Sequence, residues 1–431
     1  MLRNRVTRRD FLRVSAAAGA ATFALPAFAQ VRSPNAKLNV AVIGPAGQGA
    51  ANLAATAALE NVVALCDVDE HRLGGAAQQH PKAKTYVDFR KMFDAMGKQI
   101  DAVMVSTPDH THAPAAAMAL RMGKHCYCEK PLAHTVYEAR VLAQLAKEKN
   151  LVTQMGTQIH AEDNYRRVVE LIQSGAIGPV TEAVVWCGKD WGGGTRPKET
   201  PEVPKHIHWD EWIGPAPFRP YHPCYLPAEW RRWWDFGNGT LGDMACHIMD
   251  IVFWALKLRH PTTIEAEGPP VDPEGCPRKL IVRYEYPARG EMPPCKVSWY
   301  DGSNRPAFPA GTNIPDGGLG ALFIGKDGML RADYGGRILY PQEKFKDYKA
   351  PAPTIPNSIG HHKEFFEACK NGGPTTCNFD YSGALTEAVL LGNVAFRVGK
   401  KLEWDAANLK AVNCPEADKY IHKQYREGWT L

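Results

Sequence analysis

The 431-residue sequence has no C-x-x-C pair, no dense stripe of lysine and arginine with aromatics between them, no internal repeat, and no low-complexity segment past its first thirty residues. Beyond those thirty residues it also has no apolar run near the ~20 residues that a bilayer span requires. Each absence excludes a class. Without a second apolar run a membrane anchor is not expected. A net charge of +5 is small for this length, and without a basic stripe nucleic acid is not an expected partner. The eleven cysteines are odd in number and follow no framework, so neither a disulfide scaffold nor a metal centre is expected. Cys126 and Cys128 lie two apart in a predicted strand and read as small buried hydrophobes. His206, His208, His222 and Cys224 do not have the spacing of a standard zinc ligand set.

What is present describes a soluble, globular chain of two domains with extensions, 45% hydrophobic and 23% charged. Tryptophan and tyrosine cluster between Trp186 and Trp234, a segment of little regular pattern that reads as a long loop over the surface. Such rings line sugar-binding clefts and equally fill loop-rich cores. The first 29 residues are different. Thr7-Arg8-Arg9-Asp10-Phe11-Leu12 precedes a short apolar stretch, Val14 to Phe28, broken by Pro26 and ending in Ala27-Phe28-Ala29. This is the pattern of a twin-arginine export signal with an A-x-A cleavage site, and it predicts a periplasmic protein handled by that export machinery. The other reading is a basic N-terminus without order.

Residues 30–156 alternate strands with helices. Apolar runs at 38–43, 62–66, 102–106, 125–128 and 151–154 are separated by helical patterns at 50–59, 71–79, 89–96, 115–122 and 136–149, which predicts right-handed βαβ units and a doubly wound parallel sheet. In residues 157–431 the strands lengthen, alternate and are joined by Gly/Pro-rich turns. An open, mostly antiparallel sheet with helices on one face follows, giving an α/β protein of two parts. Helices are expected at 164–174, 362–370 and 384–398.

The first strand runs into Gly44-x-Ala46-Gly47-Gln48-Gly49, a dinucleotide-binding turn with alanine at the middle glycine position. In such a turn the first glycine bends the chain, the second admits the pyrophosphate, and the third lets the helix pack on the strand. Phosphate then sits on the helix N-terminus. Ala46 adds a methyl at the close-approach position, and Gly47 directly after it supplies the flexibility. Asp67 ends the next strand about 20 residues on, where an acid hydrogen-bonds ribose hydroxyls, so NAD is favoured over NADP. A solvated strand-end acid is the alternative for Asp67.

Ligands of doubly wound sheets bind at the carboxyl ends of the strands. Three segments fall there: Thr107-Pro108-x-x-x-His112, Glu129-Lys130-Pro131 and Gly156-Thr157-Gln158. A half-desolvated lysine beside a nicotinamide ring would stabilise a developing alkoxide, although Lys130 alone also reads as a surface residue. Asp243 and His247 lie four apart on one predicted helical face, with Asp250 three further on. Oxidising an alcohol requires a base for the hydroxyl proton, and histidine titrates in the right range, its basicity raised by a neighbouring carboxylate. On spacing alone, Asp243 as a helix cap and His247 as a core residue fit as well.

In combination, the glycine turn, Asp67, Thr107-Pro108-x-x-x-His112, Glu129-Lys130-Pro131 and Asp243-x-x-x-His247 ahead of Asp250 resemble the Gfo/Idh/MocA family of sugar and cyclitol oxidoreductases. The resemblance implies a Rossmann domain followed by an α/β domain, assembled into dimers or tetramers. It implies cofactor contacts from Gly44, Ala46, Gly47, Gln48, Gly49, Asp67, Thr107, Pro108, His112, Glu129, Lys130 and Gln158. It further implies that Lys130 stabilises the reacting hydroxyl, Asp243 binds substrate and positions the base, and His247 takes the proton. Gln158, Tyr225, Arg231 and Trp233 are candidates for contacts to sugar hydroxyls.

Export adds a constraint. Free nicotinamide dinucleotide is scarce outside the cytoplasm, so the cofactor is expected to stay tightly bound. A ping-pong enzyme that oxidises one sugar and reduces another carbonyl meets that demand. So does redox-neutral glycoside cleavage through a transient keto-sugar. A sugar-binding protein that kept the fold and lost the chemistry is the remaining alternative.

Overall fold

A computed structural model describes residues 36–309, 312–315 and 317–431; the predicted export signal lies outside them. The first sheet has six strands: β1 Asn39–Ile43, β2 Asn61–Cys66, β3 Lys84–Tyr86, β4 Ala102–Val105, β5 His125–Glu129 and β6 Thr153–Gly156. They lie in the order β3-β2-β1-β4-β5-β6 and every pairing is parallel. Chain order reverses between β1 and β4, which opens a crevice at their carboxyl ends. Both faces of these strands are buried, Val40, Ala41, Val42, Val103 and Met104 all at 0% exposure, which is why they read as continuous apolar runs. Only the three-residue β3 carried too little pattern to be predicted.

The connecting helices are α1 Gln48–Leu59, α2 Glu70–Gln79, α3 Phe89–Met96, α4 Asp109–Arg121 and α5 Val136–Glu148. Local chemistry sets their starts. Asp69 and Asp88 accept first-turn N–H groups of α2 and α3, and Thr135 and Glu138 form a reciprocal capping box on α5. Helix α4 starts six residues before its expected position because it runs through Pro114. Proline has no N–H to give the carbonyl of His110 one turn back. Lys423 Nζ donates to that carbonyl instead, at 3.4 Å.

The second sheet has nine strands: β7 Val180–Cys187, β8 Thr263–Glu267, β9 Ile281–Tyr286, β10 Cys295–Asp301, β11 Leu319–Gly325, β12 Met329–Ala332, β13 Arg337–Tyr340, β14 Leu402–Asp405 and β15 Lys410–Ala411. Their order is β13-β12-β11-β7-β10-β9-β8-β14-β15, antiparallel throughout except for the parallel pair β7 and β10. The longer helices of this part are α6 Asp163–Gln173, α7 Gly239–Ala255, α8 His361–Asn371 and α9 Phe379–Val398. From Ala183 to Cys187 strand β7 is buried on both sides, because Phe308 and Ile314 cover the Val184 and Trp186 face.

The segment from Trp186 to Trp234 departs from the expected surface loop. Trp209, Trp212, Tyr225, Trp230, Trp233 and Phe236 pack into a core of their own, each under 10% exposed, around the one-turn helix Trp209–Ile213. The aromatic rings supply enough apolar area to fold the segment onto itself without strands.

The expected boundary at residue 156 is a change of topology without a break in packing, since residues 37–431 form one unit. Met155 N donates to Cys377 O at 3.0 Å, Thr375 Oγ1 donates to Thr153 O at 2.6 Å, and α9 lies along α5. All eleven cysteines are free thiols. Nine are buried, Cys126 and Cys128 among them, and Cys224 and Cys369 are partly exposed.

Candidate active site

The glycine turn leaves β1 with Gly44 at φ 78°, its N–H on Cys66 O at 2.8 Å. A Cβ on Gly44 would lie 2.6 Å from Ser106 O, and one on Gly49 would lie 1.7 Å from Gly44 O, so both positions exclude any side chain. Gly47 has open space around it but φ 60°, and it caps the N-terminus of α1. The left-handed residue thus sits one position after Ala46, whose carbonyl accepts Gly49 N–H at 3.0 Å. Gly47 and Gln48 are exposed at the helix start. At the end of β2, Asp67 Oδ1 accepts Asp69 N–H at 3.0 Å, and burial pushes the Asp67 carboxyl up to about 6. A bent turn, an open helix N-terminus and an acid on the next strand fit a dinucleotide's pyrophosphate and ribose.

The strand-end segments beyond the turn divide between braces and reactive groups. His112 is a brace: it is buried, with Nδ1 2.8 Å from Pro131 O and Nε2 2.7 Å from Thr107 O, and burial holds its imidazole down near 4. The expected cofactor contact by His112 is therefore replaced by a link between the ends of β4 and β5. Glu129 is buried as well. Its Oε1 accepts from Asn52 Nδ2 and Gln158 Nε2, each at 2.9 Å, and burial raises its carboxyl above the usual range. Gln158 also donates to Tyr127 OH at 3.0 Å, so its amide nitrogen turns inward to this network. Thr107 Oγ1 is buried with no hydrogen-bond partner among the described residues, and Pro108 is the N-cap of α4.

Lys130 directly follows β5 and reaches α7. Its Nζ lies 2.7 Å from Asp243 Oδ1 and 2.7 Å from the Asp243 carbonyl oxygen, on the first turns of α7. Arg231 Nε donates to the same Oδ1 at 3.0 Å. The Arg231 guanidinium is held over the rings of Trp230 and Trp191, 4.2 and 5.4 Å from their centroids. Burial alone would raise the Asp243 carboxyl, but Lys130 and Arg231 outweigh it and hold the group well below the usual carboxylate range. Asp243 stays ionised, a fixed anion between two cations.

His247 lies one turn along α7, half-buried, with Nδ1 lacking a hydrogen-bond partner among the described residues. Burial, reinforced by Lys130, pulls its imidazole down to about 3. Asp243 raises its basicity as expected, but burial and Lys130 outweigh that effect. The ring is neutral at physiological pH, which leaves it able to accept a proton. Asp250 belongs to another cluster, 2.8 Å from His160 Nδ1 and 2.6 Å from Tyr381 OH in the core.

Two expected sugar contacts lie elsewhere. Tyr225 is fully buried in the aromatic cluster with its hydroxyl accepting from Arg196 Nε at 2.8 Å, and Trp233 is buried there with Nε1 on Cys224 O. Their rings are spent on the segment's own core. The structure adds residues that spacing did not reveal: Asn52, Asn238, and Asp109, which lies near Lys130 and Arg231 and accepts from Asn238 Nδ2 at 3.2 Å. Their contacts join segments far apart in the chain.

Residues 38–157 match the oxidoreductase family's NAD-binding Rossmann fold, and residues 163–431 match its C-terminal alpha/beta domain. The chain belongs to the Gfo/Idh/MocA family. The glycine turn and Asp67 accordingly lie within its NAD-binding Rossmann domain. Levoglucosan dehydrogenase of Pseudarthrobacter phenanthrenivorans is 25% identical over 50% of each chain. Inositol 2-dehydrogenase of Rubrobacter xylanophilus is 33% identical over 34% of this chain and 43% of that one. These alignments span half or less of the curated relatives' length. Aldose-aldose oxidoreductase from Caulobacter crescentus, solved with glycerol, shares the fold at a TM-score of 0.58 and 18% identity, covering 85% of this chain and 100% of that one.

Proposed function

We propose that this family member is an NAD-dependent oxidoreductase that transfers hydride between a carbinol of a sugar or cyclitol and a tightly held nicotinamide. The observation that carries the reading is the ion pair of Lys130 with Asp243, with the neutral His247 one turn along α7. NAD accepts or returns the hydride when bound. Lys130, anchored by Asp243, presents positive charge to the oxygen that becomes an alkoxide. His247 accepts the hydroxyl proton on its unpartnered imidazole. Arg231 keeps Asp243 ionised and offers its remaining N–H groups to a neighbouring hydroxyl.

The twin-arginine pattern supports export to the periplasm, and export favours a dinucleotide that does not exchange between turnovers. The relatives named for levoglucosan, inositol and aldoses support a polyhydroxylated substrate. Homo-oligomer formation is part of the reading and is checked by light scattering. Purified protein, denatured and assayed by absorbance and mass spectrometry, is expected to release NAD(H). A panel of sugars, cyclitols and glycosides, followed at stoichiometric enzyme through the nicotinamide's absorbance, is expected to give reduction by at least one carbinol and reoxidation by a sugar carbonyl. Lys130→Met is expected to retain the dinucleotide and lose kcat by about 10²–10⁴-fold. A chain that carries no dinucleotide, or a Lys130→Met variant with unchanged turnover, contradicts the proposal. Glycoside cleavage with no net change at the nicotinamide would assign the redox-neutral scheme instead.

A further inference from the structure

Away from Lys130, Asp69, His71 and His206 each offer one ligand atom, and the three atoms lie within 4.8 Å of one another. Asp69 and His71 come from the turn between β2 and α2. His206 comes from the segment that leads into Trp209–Ile213. Backbone pairing brings the two segments together: Asp69 bridges Ile207, Glu70 N donates to His206 O at 2.8 Å, and His208 N donates to Val68 O at 2.9 Å. The His71 and His206 rings stack at 3.9 Å with 10° between their planes. His208 is outside the set, its Nε2 lying 2.8 Å from Glu70 Oε1.

We infer that Asp69, His71 and His206 form a binding site for a divalent transition metal of the zinc type. Two imidazoles and one carboxylate are a borderline-soft donor set, matched to zinc and poorly matched to calcium or magnesium, which take oxygen ligands. Three protein ligands leave the fourth tetrahedral position to water. Asp69 Oδ1 is engaged as the cap of α2, on His71 N at 2.9 Å and Arg72 N at 3.2 Å, and Oδ2 faces Arg72 Nε at 3.4 Å. Arg72 is itself 39% exposed and free to turn to solvent when a cation takes its place. Coordination of one ion would turn the two rings out of this stack about their side-chain bonds.

The consequence is a staple. The metal would pin residues 204–208 to the strand end that carries Asp67, two residues before Asp69. The same segment continues to Trp212, whose carbonyl is 2.9 Å from His110 Nε2. It therefore ties the aromatic cluster to the ribose side of the NAD site.

The test uses tag-free full-length protein and zinc alone, by equilibrium dialysis and by competition with a chromophoric chelator. One zinc per chain is expected. His71→Ala and His206→Ala are expected to weaken it at least ~10-fold, and His208→Ala to leave it unchanged. Zinc is also expected to raise the Tm of the parent and of His208→Ala and to leave the Tm of the other two variants unmoved. Binding below one equivalent, or equal binding by all three variants, an adventitious ion only, overturns the site. Loss in His208→Ala as large as in His206→Ala overturns the ligand assignment. His71 is exposed, so its variant reads binding separately from folding.

Discussion

Asp109 shows how one buried side chain can make stability depend on pH. Burial pushes its carboxyl up to about 7 from an ordinary 3.8, in spite of Arg231 and Lys130 nearby. The folded chain therefore holds a proton that the unfolded chain loses between those values, so stability from this group is complete below about pH 4 and is lost as pH rises through 7. Asp109→Asn is expected to flatten that decline and to raise stability at pH 8 by about 1–3 kcal/mol, measured by denaturant unfolding across pH. A steeper decline in the variant would show that the carboxylate is stabilised in a way its neighbours do not account for. At Gly49 the limit is steric, because a Cβ would sit 1.7 Å from Gly44 O. Gly49→Ala is expected to cost at least ~3 kcal/mol and to release NAD. Equilibrium unfolding and dinucleotide content check both. At this scale the sequence was most informative where a rule is backbone-based, as at Gly44, Gly47 and Gly49. It was least informative where a side chain has two uses: His112 and Gln158 were assigned to ligands but face Thr107, Pro131 and Glu129, contacts that no spacing encodes.

The helices and strands were largely legible because their signals are local. The runs of buried strands, the capping box at Thr135 and the acid caps at Asp69 and Asp88 all lie within a few residues of what they determine. Helix α4 escaped because its compensation is remote: the carbonyl freed by Pro114 is met by Lys423. That lysine also lies 2.9 Å from Glu138 Oε1, the carboxylate of the α5 capping box, which is 1% exposed. Lys423→Met leaves the carbonyl unpaired and the buried carboxylate with fewer donors. It is expected to cost about 2–3 kcal/mol, read from thermal or urea unfolding, with faster amide exchange in the first turn of α4. Unchanged exchange there would show that solvent already serves the His110 carbonyl. The aromatic rings left two readings open, a sugar cleft and a loop-rich core, for a related reason: without strand or helix periodicity they give no direction, so a self-contained core and a surface loop have the same pattern.

Across the whole molecule, the two sheets were predictable as topologies, but their joint packing was not. Residues after 156 return to cover the first sheet: 375–377 hydrogen-bond to β6, and His362 Nε2 reaches Asn52 Oδ1 at 2.9 Å. A fragment of residues 30–156 is expected to lack a cooperative melt and to bind 8-anilinonaphthalene-1-sulfonate, because the faces of α5 and β6 that carry α9 would be bare. A dispersed NMR spectrum and a sharp transition from that fragment would contradict this. The site at Lys130 and Asp243 is a product of the same packing, since β5 brings the ammonium and α7 the carboxylate.

The distribution of thiols has a practical consequence. With nine of eleven cysteines buried and the Cys369 thiol itself enclosed against the core, Cys224 is the position open to a maleimide dye. Cys224 belongs to the aromatic segment beside Trp233, so the wild-type chain already carries an attachment point for a fluorophore. Its emission would follow that segment as sugars or zinc are added, without engineering a single new residue.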